Sequence, residues 1–131
     1  MILSRNSERI PTSMKIETLK PGDNLQEFFS VLDLPEWFEQ RFTPEFERLF
    51  KSSGNNNKIF LAKHTSDPNG VLGCVYCNIQ PKHSYKMGII PIFGWLRAEN
   101  EQIFQILLNQ AKSFAYSRGH TTIRGPINPP K

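Results

Sequence analysis

The residues in this sequence whose types and spacing first indicate chemistry are two cysteines. Cys74 and Cys77 form a C-x-x-C pair, a spacing found in redox-active dithiols and in zinc sites. They lie in VLGCVYCNIQ, whose β-branched and aromatic residues predict a strand, and residues three apart on a strand point to opposite faces. The spacing therefore predicts two separate reduced thiols, buried or half-buried, and neither a chelate nor a dithiol centre.

The remaining metal-ligating side chains do not complete a site. A four-ligand zinc site needs a second pair of cysteines or histidines, and His64, His83 and His120 show no ligand spacing. No metal is expected.

Charge and length limit the class of protein. Lys and Arg outnumber Asp and Glu by 16 to 12, a net charge of +4, and the basic neighbourhood of Lys82, His83 and Lys86 falls in a predicted turn. So small and scattered an excess is typical of a solvated surface and does not predict a specific nucleic-acid partner. The 131 residues are enough to form one hydrophobic core without a disulfide or a metal ion. No apolar stretch is long enough to span a membrane. We expect one soluble, cytoplasmic domain.

The first half of the chain predicts one strand and two helices. Residues 1–13 carry polar and turn residues without a period and predict a flexible extension. MKIETLK alternates as a strand, and a helix capped by Asp23 or Asn24 follows and is stopped by Pro35. A second segment restarts near Glu36, and Thr43-Pro44 predicts an N-cap followed by a proline at the first position of the second helix.

The second half predicts three antiparallel strands, a long helix and a last strand. KIFLAKH, VLGCVYCNIQ and MGIIPIFGWLR are the strands, and Pro91 predicts a bulge or a parting of strands in the third because it cannot donate to a ladder. Residues 100–118 form the helix, Gly119 suits its left-handed C-cap, and TTIRG is the last strand. The fold class is therefore α+β, an α/β three-layer arrangement in which helices flank a mixed, mostly antiparallel sheet, in the order β-α-α-β-β-β-α-β.

Several of these stretches resemble a known family. IFLAK, GVLGCV, MGIIPIFGWL, the long helix and the closing IRGPINPP are similar to a little-characterised prokaryotic family of GNAT-like proteins in the N-acetyltransferase superfamily. In that family a Gly-Pro-x-Asn-Pro segment, here residues 125–129, follows the fifth strand and the domain continues beyond it. The resemblance covers residues 58–130 closely and residues 14–57 by topology only. It implies that residues 14–131 are a partial, truncated GNAT-like domain without the last helix and strands.

The resemblance also implies a cofactor site. In the GNAT fold acetyl-CoA lies where strands four and five splay, and its pyrophosphate sits on a glycine-rich loop at the start of the next helix, where free N–H groups and the helix dipole hold an anion. Residues 96–101 depart from that pattern, since they contain no glycine and include Glu99 and Glu101. Only Arg97 favours an anion there. The residues expected to bind the cofactor are Ile92, Phe93, Gly94, Arg97 and Asn128.

The sequence leaves the function open between two classes. The resemblance implies an N-acyltransferase that moves an acetyl group from acetyl-CoA to the amine of a small molecule or protein. The alternative is a non-catalytic GNAT-like module that binds a ligand or a protein. No catalytic residue is assigned, because Tyr116 lies on the helix before strand five and Glu99 suits a helix end.

Two structural interpretations stay open as well. Ile92 and Phe93 could be ordinary strand packing, with Gly94 relieving a twist and Asn128-Pro129 forming a turn. The aromatic side chains of the first helices could be core or could flank an acceptor groove; they are Phe28, Phe29, Trp37, Phe38, Phe42, Phe46 and Phe50. The last strand, if it is a sheet edge, predicts self-association, limited by the nearby prolines.

Overall fold

The computed structural model describes residues 10–67, 70–79 and 91–128. The predicted extension up to residue 9, the two central residues of the predicted DPNG turn and the basic neighbourhood at residues 82–86 lie outside the described residues. The first part of MGIIPIFGWLR, residues 87–90, lies outside them as well. At the start of the described residues, the Thr65 hydroxyl donates to the Thr12 carbonyl and the Thr65 N–H donates to the Ser13 carbonyl. These bonds attach residues 12 and 13 to the end of a strand.

Among the described residues, four antiparallel strands form one sheet in sequence order. Each strand pairs with the next one along the chain, as sequential strands commonly do. The predicted mostly antiparallel sheet is confirmed. The strands are β1 (Met14–Leu19), β2 (Asn57–His64), β3 (Val71–Asn78) and β4 (Ile92–Ala98).

In the described ranges three α-helices cover the two faces of the sheet, and a 3-10 turn at Gly54–Asn56 leads into β2. The predicted helix over residues 100–118 is confirmed: the Asn100 side chain caps it by accepting from the Ile103 N–H, and Gly119 follows it at φ 87°. In the described part of the chain no helix is both long and apolar enough to cross a membrane. The helices are α1 (Gln26–Leu32), α2 (Glu36–Ser52) and α3 (Glu101–Ser117).

The sheet separates two hydrophobic cores. On one face β2 and β3 point Ile59, Leu61 and Tyr76 at α1 and α2, and this is the α1/α2 core. On the other face alternate residues such as Phe60 and Val75 point at α3, and this is the α3 core. Both central strands are buried on both faces, which explains why their sequences are almost continuously apolar.

The aromatic side chains of α1 and α2 are mostly core. Five of them are buried in the α1/α2 core and pack ring on ring, with centroids between 5.2 and 6.1 Å apart. Phe38 is partly buried against them, but Trp37 is 70% exposed. These aromatic side chains therefore belong to the core, except for Trp37. The five buried rings are those of Phe28, Phe29, Phe42, Phe46 and Phe50.

The predicted helix start at Thr43-Pro44 is wrong. One continuous α2 runs from Glu36, directly after Pro35, and contains Pro44. A proline inside a helix costs about 3 kcal/mol, and here burial of the Phe42 and Phe46 rings on consecutive turns outweighs it. The Thr43 hydroxyl caps nothing, since its oxygen is buried without a hydrogen-bond partner among the described residues.

Two predictions about the last two predicted strands also need correction. TTIRG is not a strand: Arg124 alone forms a parallel bridge, with Ile92, because Pro126 has no N–H to continue the ladder. The bulge is not at Pro91, which precedes β4 and supplies only its carbonyl, to the Arg124 N–H. The irregularity lies instead at Trp95, inside β4.

The cysteines lie on opposite faces, as their spacing predicts. Cys74 belongs to the α1/α2 core and Cys77 to the α3 core, and both are fully buried free thiols. Burial raises the pKa of the Cys74 thiol to about 12 and raises the pKa of Cys77 further. Neither sulfur is therefore a thiolate at neutral pH.

The cysteine environment predicts inert thiols. In a native sample at pH 8, a chromogenic disulfide reagent should react with Cys74 and Cys77 only as fast as the protein opens, because the thiolate is the reacting species. Absorbance at the moment of guanidinium unfolding should then report two thiols per chain. A rapid native reaction of either residue would contradict this assignment.

A buried polar cluster ties α2 to the sheet. The Asn57 amide donates to the Phe50 and Gly54 carbonyls at 3.0 and 3.1 Å, and its oxygen accepts from the Tyr76 hydroxyl at 2.8 Å and the Asn78 amide at 3.1 Å. Asn57, Tyr76 and Asn78 are all at most 2% exposed. Because Asn57 satisfies both the end of α2 and the β3 side chains, it fixes how the helix meets the sheet.

Asn57→Ala should lower the free energy of unfolding by about 2 to 4 kcal/mol, because it leaves several buried polar groups without a partner. Urea denaturation followed by circular dichroism measures it. Asn55→Ala is the matched control: that residue is exposed, and it accepts from the Arg118 guanidinium through its backbone carbonyl, so the change should stay within about 0.5 kcal/mol. Equal losses in the two variants would refute the role given to Asn57.

Candidate functional site

The bulge in β4 is the feature around which a surface crevice forms. Tyr76 pairs with Gly94 and Cys74 pairs with Arg97, so two steps along β3 oppose three along β4. The extra residue is Trp95, at φ 47°, in the left-handed region that a bulky residue rarely adopts. Such a conformation persists only where its surroundings hold it.

Contacts on the α1/α2 side hold Trp95 in this conformation. Its ring lies against Phe42, with centroids 4.7 Å apart, and its carbonyl accepts a hydrogen bond from the Cys74 thiol at 3.3 Å. Without the extra residue, the two-residue period would place Trp95 on the same face as Phe93, towards α3. The bulge therefore sends the Trp95 ring into the α1/α2 core while Phe93 and Leu96 stay on the α3 side.

The outer edge of β4 binds the segment after α3, residues 124–128, which we call the C-terminal strap. The Phe93 N–H donates to the Arg124 carbonyl, and the Phe93 carbonyl accepts from the Ile127 N–H at 2.8 Å. A regular parallel ladder would use the N–H of residue 126, which is a proline. The strap is therefore shifted by one residue from the register of a regular parallel ladder, so that Ile127 donates in place of residue 126. The Asn128 side-chain oxygen then accepts from the Trp95 N–H at 2.7 Å.

Gly94 permits this close approach. A Cβ at position 94 would overlap the carbonyl oxygen of Ile127 and lie 2.8 Å from the Asn128 side-chain oxygen. Because no side chain fits between β4 and the strap, glycine at this position is a steric requirement and does not merely relieve a twist.

A cavity of about 360 Å³ opens where β4, α3 and the strap meet, and we call it the β4 crevice. Its size falls within the usual range of small-molecule sites. Its lining is mostly apolar and aromatic, with one guanidinium and one carboxamide. The lining residues are Phe93, Trp95, Leu96, Arg97, Phe104, Pro126 and Asn128.

The structure brings three of the five predicted site residues together. Phe93, Arg97 and Asn128 line the β4 crevice. Gly94 is buried beside it and admits the strap, whereas Ile92 is 3% exposed and pairs with Asn78, away from the lining. The residues that the sequence did not indicate include Trp95, which only the bulge places there, and Phe104, whose helical period gave no sign of the cavity.

The charge of the crevice comes from Arg97, an exposed guanidinium at the end of β4. The start of α3 nearby is already capped by Asn100, and Glu101 stands in its first turn. The Asn100 cap occupies an N–H group that could otherwise bind an anion, and the Glu101 carboxylate offsets the positive end of the helix dipole. An anionic ligand would therefore be held mainly by Arg97.

The lining offers binding groups but no proton-transfer group. None of the seven residues that line the crevice has a carboxyl, imidazole, thiol or phenol. Glu99 is exposed and its N–H is bonded to the Leu72 carbonyl, and Tyr116 is 64% exposed on α3, outside the crevice. Among the described residues, no group of three or more His, Cys, Asp or Glu side chains could hold a metal ion. The arrangement can orient an extended ligand with an anionic end.

No protein-family model matches the chain, and the comparison with curated proteins finds no match. Solved structures do resemble it. Glucosamine-6-phosphate N-acetyltransferase from Arabidopsis thaliana superimposes with a TM-score of 0.63 at 14% identity, over 88% of this chain and 83% of that one. A protein from Clostridium acetobutylicum, described as a predicted acetyltransferase and crystallised with acetyl-CoA, gives a TM-score of 0.63 at 14% identity, over 85% and 79%.

An aminoglycoside N-acetyltransferase in complex with CoA is a third such structure, with a TM-score of 0.59 at 11% identity over 88% of this chain and 78% of that one. At such low identity the likeness concerns the fold. Together with the antiparallel sheet, the order of helices and strands and the bulge in β4, it leads to one conclusion: this chain has the GNAT-like fold of the N-acetyltransferases.

Proposed function

We propose that this chain is a GNAT-like N-acyltransferase domain that binds an acyl-CoA, with acetyl-CoA as the donor, in the β4 crevice and passes the acyl group to an amine. The observation that carries the proposal is the bulge of β4 at Trp95, which opens a mostly apolar cavity beside backbone hydrogen-bonding groups in a GNAT-like fold. Two of the structural neighbours contain acetyl-CoA or CoA.

Each part of the crevice would meet a different part of such a ligand. The Phe93, Leu96 and Phe104 side chains offer apolar contact to an extended chain, and the Arg97 guanidinium offers charge-assisted hydrogen bonds to a phosphate. The Phe93 carbonyl and the Trp95 N–H are bonded to the C-terminal strap. A ligand amide would therefore have to share or replace those two bonds.

The role of Arg97 predicts a selective loss of affinity. By calorimetric titration, Arg97→Gln should weaken acetyl-CoA binding about three- to tenfold, since an exposed charge-assisted contact is worth about 1 kcal/mol. Acetyl-pantetheine, which has no pyrophosphate, should bind the variant and the parent equally. Arg48→Gln, an exposed arginine on α2, is the matched control and should leave both affinities unchanged.

Two results would count against the proposal. If folded protein bound neither acetyl-CoA nor acetyl-pantetheine, the crevice would not be an acyl-CoA site. If Arg97→Gln and Arg48→Gln weakened acetyl-CoA binding alike, the anion would be held by general charge and not by this crevice.

The lack of a proton acceptor in the crevice lining predicts the pH dependence of the transfer. The amine must arrive already deprotonated, so the rate of CoA release with a primary amine of pKa about 10 should rise about tenfold per pH unit from pH 7 to 9. Thiol release measured across that range tests it. A bell-shaped profile centred near pH 7 would instead require a protein base that the crevice lining does not supply.

The second candidate function is a non-catalytic module that binds a ligand or another protein chain. The observation that favours it is the occupation of the β4 edge by Ile127 and Asn128, together with the capped, acidic start of α3. In that case acyl-CoA would bind weakly or without turnover. Self-association remains part of this proposal, although the predicted edge strand is reduced to one bridge at Arg124.

A further inference from the structure

The outer edge of β1 is an open edge of the sheet. β1 comes first in the strand order and pairs on one side only, with β2. The Thr65 N–H donates to the Ser13 carbonyl in register with this ladder, so the odd-numbered residues of β1 turn their N–H and C=O groups towards β2. The alternate residues, Ile16 and Thr18, therefore turn their backbone groups outwards.

The two ends of this edge are satisfied locally, but its middle is not. The Met14 N–H donates to the Pro11 carbonyl at 3.0 Å, and the Lys20 N–H donates to the Asp23 carboxylate at 2.8 Å. Between them, in the part of the chain that the structure describes, no hydrogen bond reaches the backbone of residue 16 or 18. Such an edge is a template for another strand.

The side chains beside this edge carry a particular order of charge. Lys15 and Glu17 lie on the face of β1 that Leu19 buries in the α1/α2 core; Lys15 is exposed and the Glu17 side chain is 37% exposed while it binds Lys63. A charged edge disfavours an arbitrary apolar strand. It is complementary to a strand with the two charges in reverse order, and an antiparallel copy of β1 has that order.

From this geometry we infer that the β1 edge binds the β1 edge of a second copy of this chain, antiparallel and about a twofold axis beside Ile16. The two Ile16 residues exchange N–H···O=C bonds, and the Thr18 N–H of each copy donates to the Met14 carbonyl of the other. The Lys15 ammonium of each copy then lies opposite the Glu17 carboxylate of the other. The two sheets become one continuous sheet with both α3 helices on the same face.

The charges select this register from its neighbours. If one copy slides by two residues, either Lys15 lies opposite Lys15 or Glu17 lies opposite Glu17, and like charges directly opposite destabilise a strand pair. A slide by one residue would oppose outward backbone groups to inward ones. The inference does not depend on the proposed acyltransferase function, since β1 and β4 lie at opposite ends of the strand order.

Disulfide trapping tests both the contact and its register. The Cα atoms of a hydrogen-bonded antiparallel pair lie about 5.5 Å apart, which suits a disulfide, and the native Cys74 and Cys77 are buried. In the full chain, Ile16→Cys should give a covalent dimer under a glutathione redox buffer, measured on a non-reducing gel. Thr18→Cys is the matched control and should stay monomeric, because residue 18 lies opposite Met14. Equal trapping of the two variants, or none of Ile16→Cys, would overturn the inference.

Sedimentation then measures the association without a cross-link. The parent chain should form a reversible dimer with a dissociation constant of about 10 to 100 µM, as suits a small interface, and added salt should weaken it. Lys15→Glu should weaken the dimer at least about tenfold, because it places two carboxylates opposite each other. Lys51→Glu makes the same change of net charge on an exposed lysine of α2 and should leave the dissociation constant unchanged.

A backbone variant tests the hydrogen bonds directly. Thr18→Pro removes an outward N–H and leaves the ladder to β2 intact, so it should fold and dimerise at least about tenfold more weakly, whereas Thr18→Val should dimerise as the parent does. A dimer that both Lys15→Glu and Thr18→Pro leave unchanged would place the contact elsewhere, such as at the strap, and overturn the inference. A parent chain that is monomeric at about 0.5 mM would overturn it too. Slow amide exchange of residues 16 and 18 in such a monomer would assign the edge to residues 1–9.

Discussion

The left-handed conformation of Trp95 is the constraint on which the β4 edge of this protein depends. It adds one residue to β4, sends the indole ring to Phe42 in the α1/α2 core, and leaves Phe93 and Leu96 facing α3. The same change directs the Trp95 N–H outwards, to the Asn128 side chain. One backbone conformation thus sets the packing of one core, the wall of the β4 crevice and the position of the C-terminal strap.

The rest of the fold keeps that edge in place. Asn57 joins the end of α2 to Tyr76 and Asn78 on β3, and β3 carries the Cys74 thiol that donates to the Trp95 carbonyl. Nearer the β1 edge of the sheet, Lys63 of β2 bridges Glu17 of β1 and Glu27 of α1, at 3.1 and 2.8 Å. Polar contacts therefore fix α1 and α2 against the sheet at defined positions, and the aromatic rings of these two helices pack in the α1/α2 core.

The lining of the β4 crevice offers groups that could hold a ligand and none for proton transfer. Its charged group is one guanidinium, the start of α3 is already capped by Asn100, and the β4 backbone is bonded to Ile127 and Asn128. A ligand would gain apolar contact and one ionic contact and would compete with the strap for backbone bonds. Any rate enhancement would come from holding the reactants in place.

The sequence alone determined that helices bury both faces of the sheet and that Cys74 and Cys77 lie on opposite faces, because both depend on the periodicity of the strands. It also determined α3, because the Asn100 cap and Gly119 mark its two ends locally. The resemblance to the GNAT-like family pointed to Phe93, Arg97 and Asn128, which lie near each other once β4 and the strap pair. Their role in binding stays a prediction. Only the tertiary structure decided that α2 runs through Pro44, because the burial of Phe42 and Phe46 outweighs the local preference of proline. It likewise moved the bulge from Pro91 to Trp95, since a proline before a strand costs no ladder bond, whereas the packing of an indole against Phe42 requires an extra residue.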